Sequence, residues 1–321
     1  MSAVAPLDQA ELDAGWAALG IPQLLLLDAA EQRRVRAVSR AVADLVEPWV
    51  AAVSDQYRGL SWPLAVNLAA VTPELSAAQL APLVKLSCWT LVFDDAFDNH
   101  HLAPAEYRER IDAYFRFLDG DETTTADPIV GALAHCRDEL RAIPLFAELE
   151  PEWHAAQEAT LRAMVMECRW RHDYAADGTL PTFDEFMDNA VEAVDSRPTI
   201  LAVLAAIGDR SVLAEREFVT ELSTSLAWCI RVANDLRTYA KEAGEGTVNS
   251  VLIRSATPAG LEGALDGITE DLRARLLDLA EHAEKPRTAT GRAERWVHDC
   301  ARFVAEFYAR HEYRTLFDEE S

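Results

Sequence analysis

The chain has 321 residues, half of them hydrophobic, and a mean hydropathy of −0.07, the balance of a globular protein that hides a sizeable core behind a charged surface. Its formal charge of −24 is spread along the whole length, which argues against binding nucleic acid or an anionic membrane surface, since both reward clustered Lys and Arg. Five cysteines with no CxxC pair suggest neither a disulfide framework nor a zinc knuckle, and no segment has the make-up of a signal peptide or membrane span, so a cytoplasmic protein without a stable membrane anchor is expected.

In chain order, the acidic first twenty residues and the tail 315–321 are expected to lie outside the ordered fold. Between them, segments with apolar positions every three or four residues alternate with polar breaks at 119–127, 175–181, 243–247, 256–260 and 284–291. Hardly any stretch alternates with the period of a half-buried strand. The expected fold class is therefore all-α, one domain over 1–321 built as a bundle of about ten helices. Residues 81–93 are apolar nearly all round apart from Lys85, the pattern of a helix buried inside a larger bundle. A second long helix is expected over about 212–242, with Gly244 as its C-terminal stop.

The buried helix runs into Asp94, Asp95, Ala96, Phe97 and Asp98. Asp94 and Asp98 share a face, with Asp95 beside them, and carboxylates at a helix C-terminus oppose the macrodipole. A cation would relieve that repulsion, and hard oxygen donors suit magnesium better than zinc. The bland alternative is a helix end whose acids are solvated. In the second helix, Asn234, Thr238 and Glu242 recur every four residues, so an amide, a hydroxyl and a carboxylate form one stripe, with Asp235 beside it. These too are magnesium-type donors, or else an ordinary polar helix face.

Together DDAFD at 94–98 and NDLRTYAKE at 234–242 resemble the two metal motifs of class I terpene synthases, in the family's order and 140 residues apart. The resemblance spans about residues 60–315 and implies an α-helical fold around an apolar cavity, with three Mg2+ ions and a prenyl diphosphate as substrate. It assigns metal binding to Asp94, Asp98, Asn234, Thr238 and Glu242, with Asp95 as a further candidate, and diphosphate contact to Lys241. The family's diphosphate-sensing Arg is missing: the segment reads DEFMDNAVEAVDSRPTI, with Asp188 and Glu192 where an Arg would be sought, leaving Arg197 as the candidate. Asp195 and Ser196 stand for the family's acidic-plus-small pair at a helix break, which Pro198 also predicts. In place of the C-terminal Arg-Tyr pair the chain offers Arg310 and Tyr313.

Ionising an allylic diphosphate requires no protein nucleophile, and the chain has no convincing Ser/His/Asp or Cys/His arrangement. It does require an apolar, aromatic wall, for which Trp89, Leu91, Phe93, Phe186, Trp296 and Phe303 are candidates, followed by Trp62, Trp228 and Phe307. The loop after Glu242 is expected to be mobile until metal and diphosphate pin it. The expected reaction is cyclisation of geranylgeranyl diphosphate, with a bicyclic copalyl-type C20 diphosphate or farnesyl diphosphate as alternatives. A homodimer is compatible with this reading. Rival readings are a prenyl diphosphate synthase, which normally carries a second aspartate-rich motif where this chain has NDLRTYAKE, and a non-catalytic helical binding protein.

Overall fold

A computed structural model describes residues 8–53, 57, 59–97 and 104–313. These are helical without a strand. The helices are α1 (Gln9–Leu19), α2 (Pro22–Leu25), α3 (Ala29–Val53), α4 (Ser61–Val71), α5 (Ala77–Phe97), α6 (Pro104–Leu118) and α7 (Pro128–Leu140). They continue with α8 (Phe146–Asp177), α9 (Phe183–Ala193), α10 (Ser196–Ile207), α11 (Arg216–Glu245), α12 (Ser250–Ser255), α13 (Gly260–Glu284) and α14 (Arg292–Tyr308). Of the five expected polar breaks, 119–127 lies between α6 and α7 and the other four each contain a helix end.

Residues 9–19, expected to lack order, form α1. A reciprocal capping box starts it: Glu11 N–H donates to Asp8 Oδ1 at 2.9 Å and Asp8 N–H to Glu11 Oε2 at 2.7 Å. Leu12, Trp16 and Leu19 then bury the face that docks on the bundle. The acidic composition of this segment concealed an amphipathic helix.

The helix expected at 81–93 is the middle of α5, which packs against α3, α4, α7 and α10. Leu80, Leu83, Val84, Leu86 and Cys88 are wholly buried, and the one interior charge, Lys85, is answered by Glu139 of α7 at 2.6 Å. Trp89 donates its indole N–H to the Ile129 carbonyl at 2.9 Å, which fixes α5 against the start of α7. The C-terminus of this anchored helix carries Asp94 and Asp95; Asp98 lies outside the described residues.

Helix α11 packs on α9, α10, α12, α13 and α14. It runs three residues past the expected end, because Gly244 is accommodated within the helix and Gly246, at φ 73°, makes the left-handed C-cap. The chain then turns into α12, and hydrogen bonds fasten the end of this turn. The Asn249 side chain donates to the Asp235 carbonyl at 3.1 Å and to Glu242 Oε2 at 2.8 Å, while its Oδ1 caps α12 by accepting from Val251 N–H at 2.8 Å. Ser250 N–H donates to Asp235 Oδ2 at 3.0 Å. Thus the end of the loop is tied back to the helix it leaves.

Candidate active site

Helices α4, α5, α8, α10, α11 and α14 surround a cavity of about 260 Å³. Lys241 and Glu245 are exposed residues of its lining and mark where it reaches solvent. Asp94, Asn234, Thr238, Lys241 and Glu242 all line this one cavity, so the two motifs separated by 140 residues in sequence are brought to a common space. The four-residue spacing on α11 does what helical geometry requires, presenting three oxygen-bearing side chains along one stripe.

Asp95 is turned elsewhere: it accepts a hydrogen bond from the Tyr57 phenol and is not part of the lining. Asp235 is also a structural residue, wholly buried between Arg231 and Ser250 N–H. Thr238 donates its hydroxyl to the Asn234 carbonyl at 3.0 Å, which leaves the oxygen lone pairs available on the cavity side. Burial, and then the neighbouring Asp235 carboxylate, raise the pKa of Glu242 above the usual carboxylate range. A partly buried carboxylate beside another one is an arrangement that a bound cation stabilises, and two carboxylates, an amide and a hydroxyl are the hard oxygen set that magnesium takes. Among the described residues no three His, Cys, Asp or Glu side chains converge as a metal cluster of their own.

The basic residues of the cavity differ from those expected. Arg197 forms an ion pair with Glu192 and is not part of the lining, because the turn between α9 and α10 directs it back along α9. Arg310 is exposed beyond the end of α14, donating to the Glu306 carbonyl at 3.2 Å. In their stead the cavity presents Arg171 of α8 and Arg231 of α11, neither singled out from the sequence. Arg231 lies three residues before Asn234, on the same face and one turn earlier. Its guanidinium is held from both sides, by Glu167 Oε1 at 2.9 Å and Asp235 Oδ1 at 2.9 Å, and it sits 5.0 Å from the centre of the Phe186 ring. Burial alone would lower its pKa, but the Asp235 and Glu167 carboxylates outweigh that and hold it charged. Tyr313 does reach the cavity, stacked on Phe307 at 4.1 Å and accepting from Asn67 Nδ2 at 3.3 Å.

Of the expected wall, Leu91, Phe93 and Trp296 face the cavity, joined by Leu226, Ile230 and Tyr308. The others are core or lie elsewhere. Trp89 is spent on the α7 contact, Phe186 lies under Arg231, and Phe303 and Phe307 are wholly buried against each other. Trp228 is covered by Arg275 at 4.5 Å, and Trp62 borders a different pocket, near Trp16.

The break between α9 and α10 falls where Pro198 places it. Asp195 occupies it at φ 49°, the one non-glycine residue in the left-handed region among the described residues, and accepts the Thr90 hydroxyl at 2.9 Å. Burial pushes the Asp195 carboxyl up to about 7 against the opposing hydrogen bond from Thr90, and pushes Glu167 up to about 7 against Arg231.

Both shifts carry a sign for stability. A carboxyl whose folded pKa lies above its unfolded value of about 4 favours the fold fully below that value, and the contribution is lost as pH rises through the folded pKa. Stability is therefore expected to decline between about pH 4 and pH 7 through these two groups, with Glu167→Gln flattening the decline. Thermal unfolding of both proteins across that range is the check, and parallel curves would refute the assignment.

Residues 85–278, more than half of the chain, match the family model described as terpene synthase family 2, C-terminal metal binding. Ent-kaurene synthase-like 3 of Oryza sativa subsp. japonica is 36% identical over 110 residues, 32% of this chain, and the chain spans 14% of that relative's length. The abietadiene synthase of Abies grandis superposes with a TM-score of 0.67 at 15% identity, covering 89% of this chain and 40% of that one. Isoprene synthase from grey poplar, solved with three Mg2+ ions and dimethylallyl-S-thiolodiphosphate, superposes at 0.55 and 15% identity over 94% of this chain and 52% of that one. The fold, the convergence of the two motifs on one cavity and the family match agree: the chain belongs to the terpene synthase family.

Proposed function

We propose that this protein is a magnesium-dependent class I terpene cyclase that ionises a prenyl diphosphate and cyclises the resulting carbocation, acting as one domain. The observation that carries this reading is that one cavity is lined at once by oxygen donors of both motifs, by basic side chains and by apolar side chains. Asp94 on one helix and Asn234, Thr238 and Glu242 on another are the metal ligands in this reading, with Asp98 completing the first motif from outside the described residues. Bound there, magnesium supplies positive charge that stabilises the leaving diphosphate. Arg231 and Lys241 donate to the diphosphate oxygens, and Arg231 takes the role sought for Arg197. Phe93, Trp296 and Tyr308 present ring faces that accommodate positive charge without attacking it, while Leu91, Leu226 and Ile230 keep bulk water out.

Geranylgeranyl diphosphate is the substrate we favour, supported by the similarity to the relative named ent-kaurene synthase-like 3. A bicyclic C20 diphosphate or farnesyl diphosphate would use the same machinery. The test is incubation with magnesium and, separately, the linear C10, C15 and C20 diphosphates and a bicyclic C20 diphosphate, followed by gas chromatography and mass spectrometry. A cyclic product from one of them, abolished by EDTA, is expected. A folded protein that releases diphosphate from none of them would overturn the proposal in favour of a helical binding protein, and consumption of isopentenyl diphosphate would mark a prenyl diphosphate synthase.

A further inference from the structure

The cavity wall is interrupted at the α9–α10 break, where two consecutive side chains leave polar atoms without a partner. Asp195 and Ser196 are 3% and 9% exposed and both line the cavity. Asp195 Oδ2 is engaged by Thr90, but Oδ1 has no hydrogen-bond partner, and neither has Ser196 Oγ. Thr160, the other hydroxyl near Asp195, donates to the Glu192 carbonyl at 3.0 Å. An enclosed acceptor and an enclosed hydroxyl left unmatched cost free energy that a hydrocarbon guest cannot return. Side by side on one wall, they are the two or more polar partners that an enclosed water molecule needs.

We propose that Asp195 and Ser196 hold a water molecule that ends the reaction by adding to the carbocation, with Asp195 as the base, so that the product is an alcohol. This rests on the cyclase reading above and extends it to the class of product. In the step, a lone pair of the water oxygen forms the new C–O bond. Asp195 Oδ1 accepts one of the two water protons, the carboxylate becomes a neutral carboxyl, and that proton later passes to solvent. The water enters and the alcohol leaves with atoms and charge balanced.

Three features fit Asp195 to this work. Its other oxygen is fixed by Thr90, one turn before Asp94 on α5, which aims the carboxyl from a rigid helix and places it near the ionisation end. Its carboxyl, at about 7, is matched to accepting a proton near neutrality. The other cavity atoms without a hydrogen-bond partner, Asn67 Oδ1, Trp296 Nε1 and Arg231 Nε, belong to an amide, an indole and a guanidinium that is already protonated, none of which can take a proton from water.

The test is turnover of the accepted prenyl diphosphate by the full chain with magnesium in 18O-labelled water. Products are counted per diphosphate released, so that changes in ionisation rate do not enter. An alcohol carrying the label is expected from the parent protein. In Asp195→Asn, which keeps the acceptor for Thr90 and a residue type that tolerates the left-handed region, the ratio of alcohol to hydrocarbon should fall by about tenfold or more, and Ser196→Ala should move it the same way. A parent protein that releases diphosphate but yields only hydrocarbon would overturn the proposal while leaving the cyclase reading intact. So would an unchanged ratio in both variants, or a ratio that falls in Asn67→Leu and not in Asp195→Asn. Absence of diphosphate release from every substrate would remove both.

Discussion

The Asn234→Ala variant is expected to release diphosphate about 100- to 1,000-fold more slowly than the parent protein, the loss that follows removal of one group acting on developing charge. Its stability should be unchanged or slightly raised. The Asn234 side chain is half-exposed on α11, the hydrogen bond that Thr238 makes at this position goes to the Asn234 main-chain carbonyl, and Ala is the better helix former. Diphosphate release measured beside thermal unfolding separates loss of function from loss of fold. A rate within tenfold of the parent would sink the assignment of the α11 stripe as a metal site.

Arg231→Leu should damage both properties. It leaves Glu167 and the wholly buried Asp235 facing each other without their common cation, which is expected to cost about 3 kcal/mol, and it removes a donor from the cavity, which should lower kcat/KM about 100-fold. The double variant Arg231→Leu with Glu167→Gln removes one of the two stranded charges. Partial recovery of the unfolding temperature without recovery of turnover is expected if Arg231 contacts diphosphate. Recovery of both would reduce Arg231 to a structural brace.

The all-helical architecture could be read from the chain because apolar positions recur at helical intervals and polar breaks punctuate them. Asp94 and the stripe of Asn234, Thr238 and Glu242 could be read because each is a local pattern on one helix. Arg231 carried the same kind of signal, one turn before Asn234, whereas the resemblance seeks an Arg in the α9–α10 segment. Its partner Glu167, and Arg171 one turn further along α8, had no local signature, since their nearness to α11 is created by packing between distant segments. The aromatic candidates divided for a related reason. Periodicity tells which residues are buried, but Phe93 and Trp89, four residues apart on α5, part company because a cavity and a solid core look alike in a one-dimensional pattern. Arg197 was misplaced because the adjacent Glu192 outcompetes the cavity for its charge.

The ring formed by Glu242, Asn249 and the Asp235 carbonyl has a consequence for how this chain can vary. One carboxamide spans from the last turn of α11 to the first turn of α12, so the residues between Glu242 and Asn249 form a measured strap whose length is set by hydrogen bonds at both ends. Substitutions within the strap away from the left-handed Gly246 leave that closure intact, whereas an added or deleted residue moves Asn249 off Glu242 and releases a side chain at the cavity. Evolution of new members from this scaffold is thus freer in the composition of the strap, Gly246 apart, than in its count.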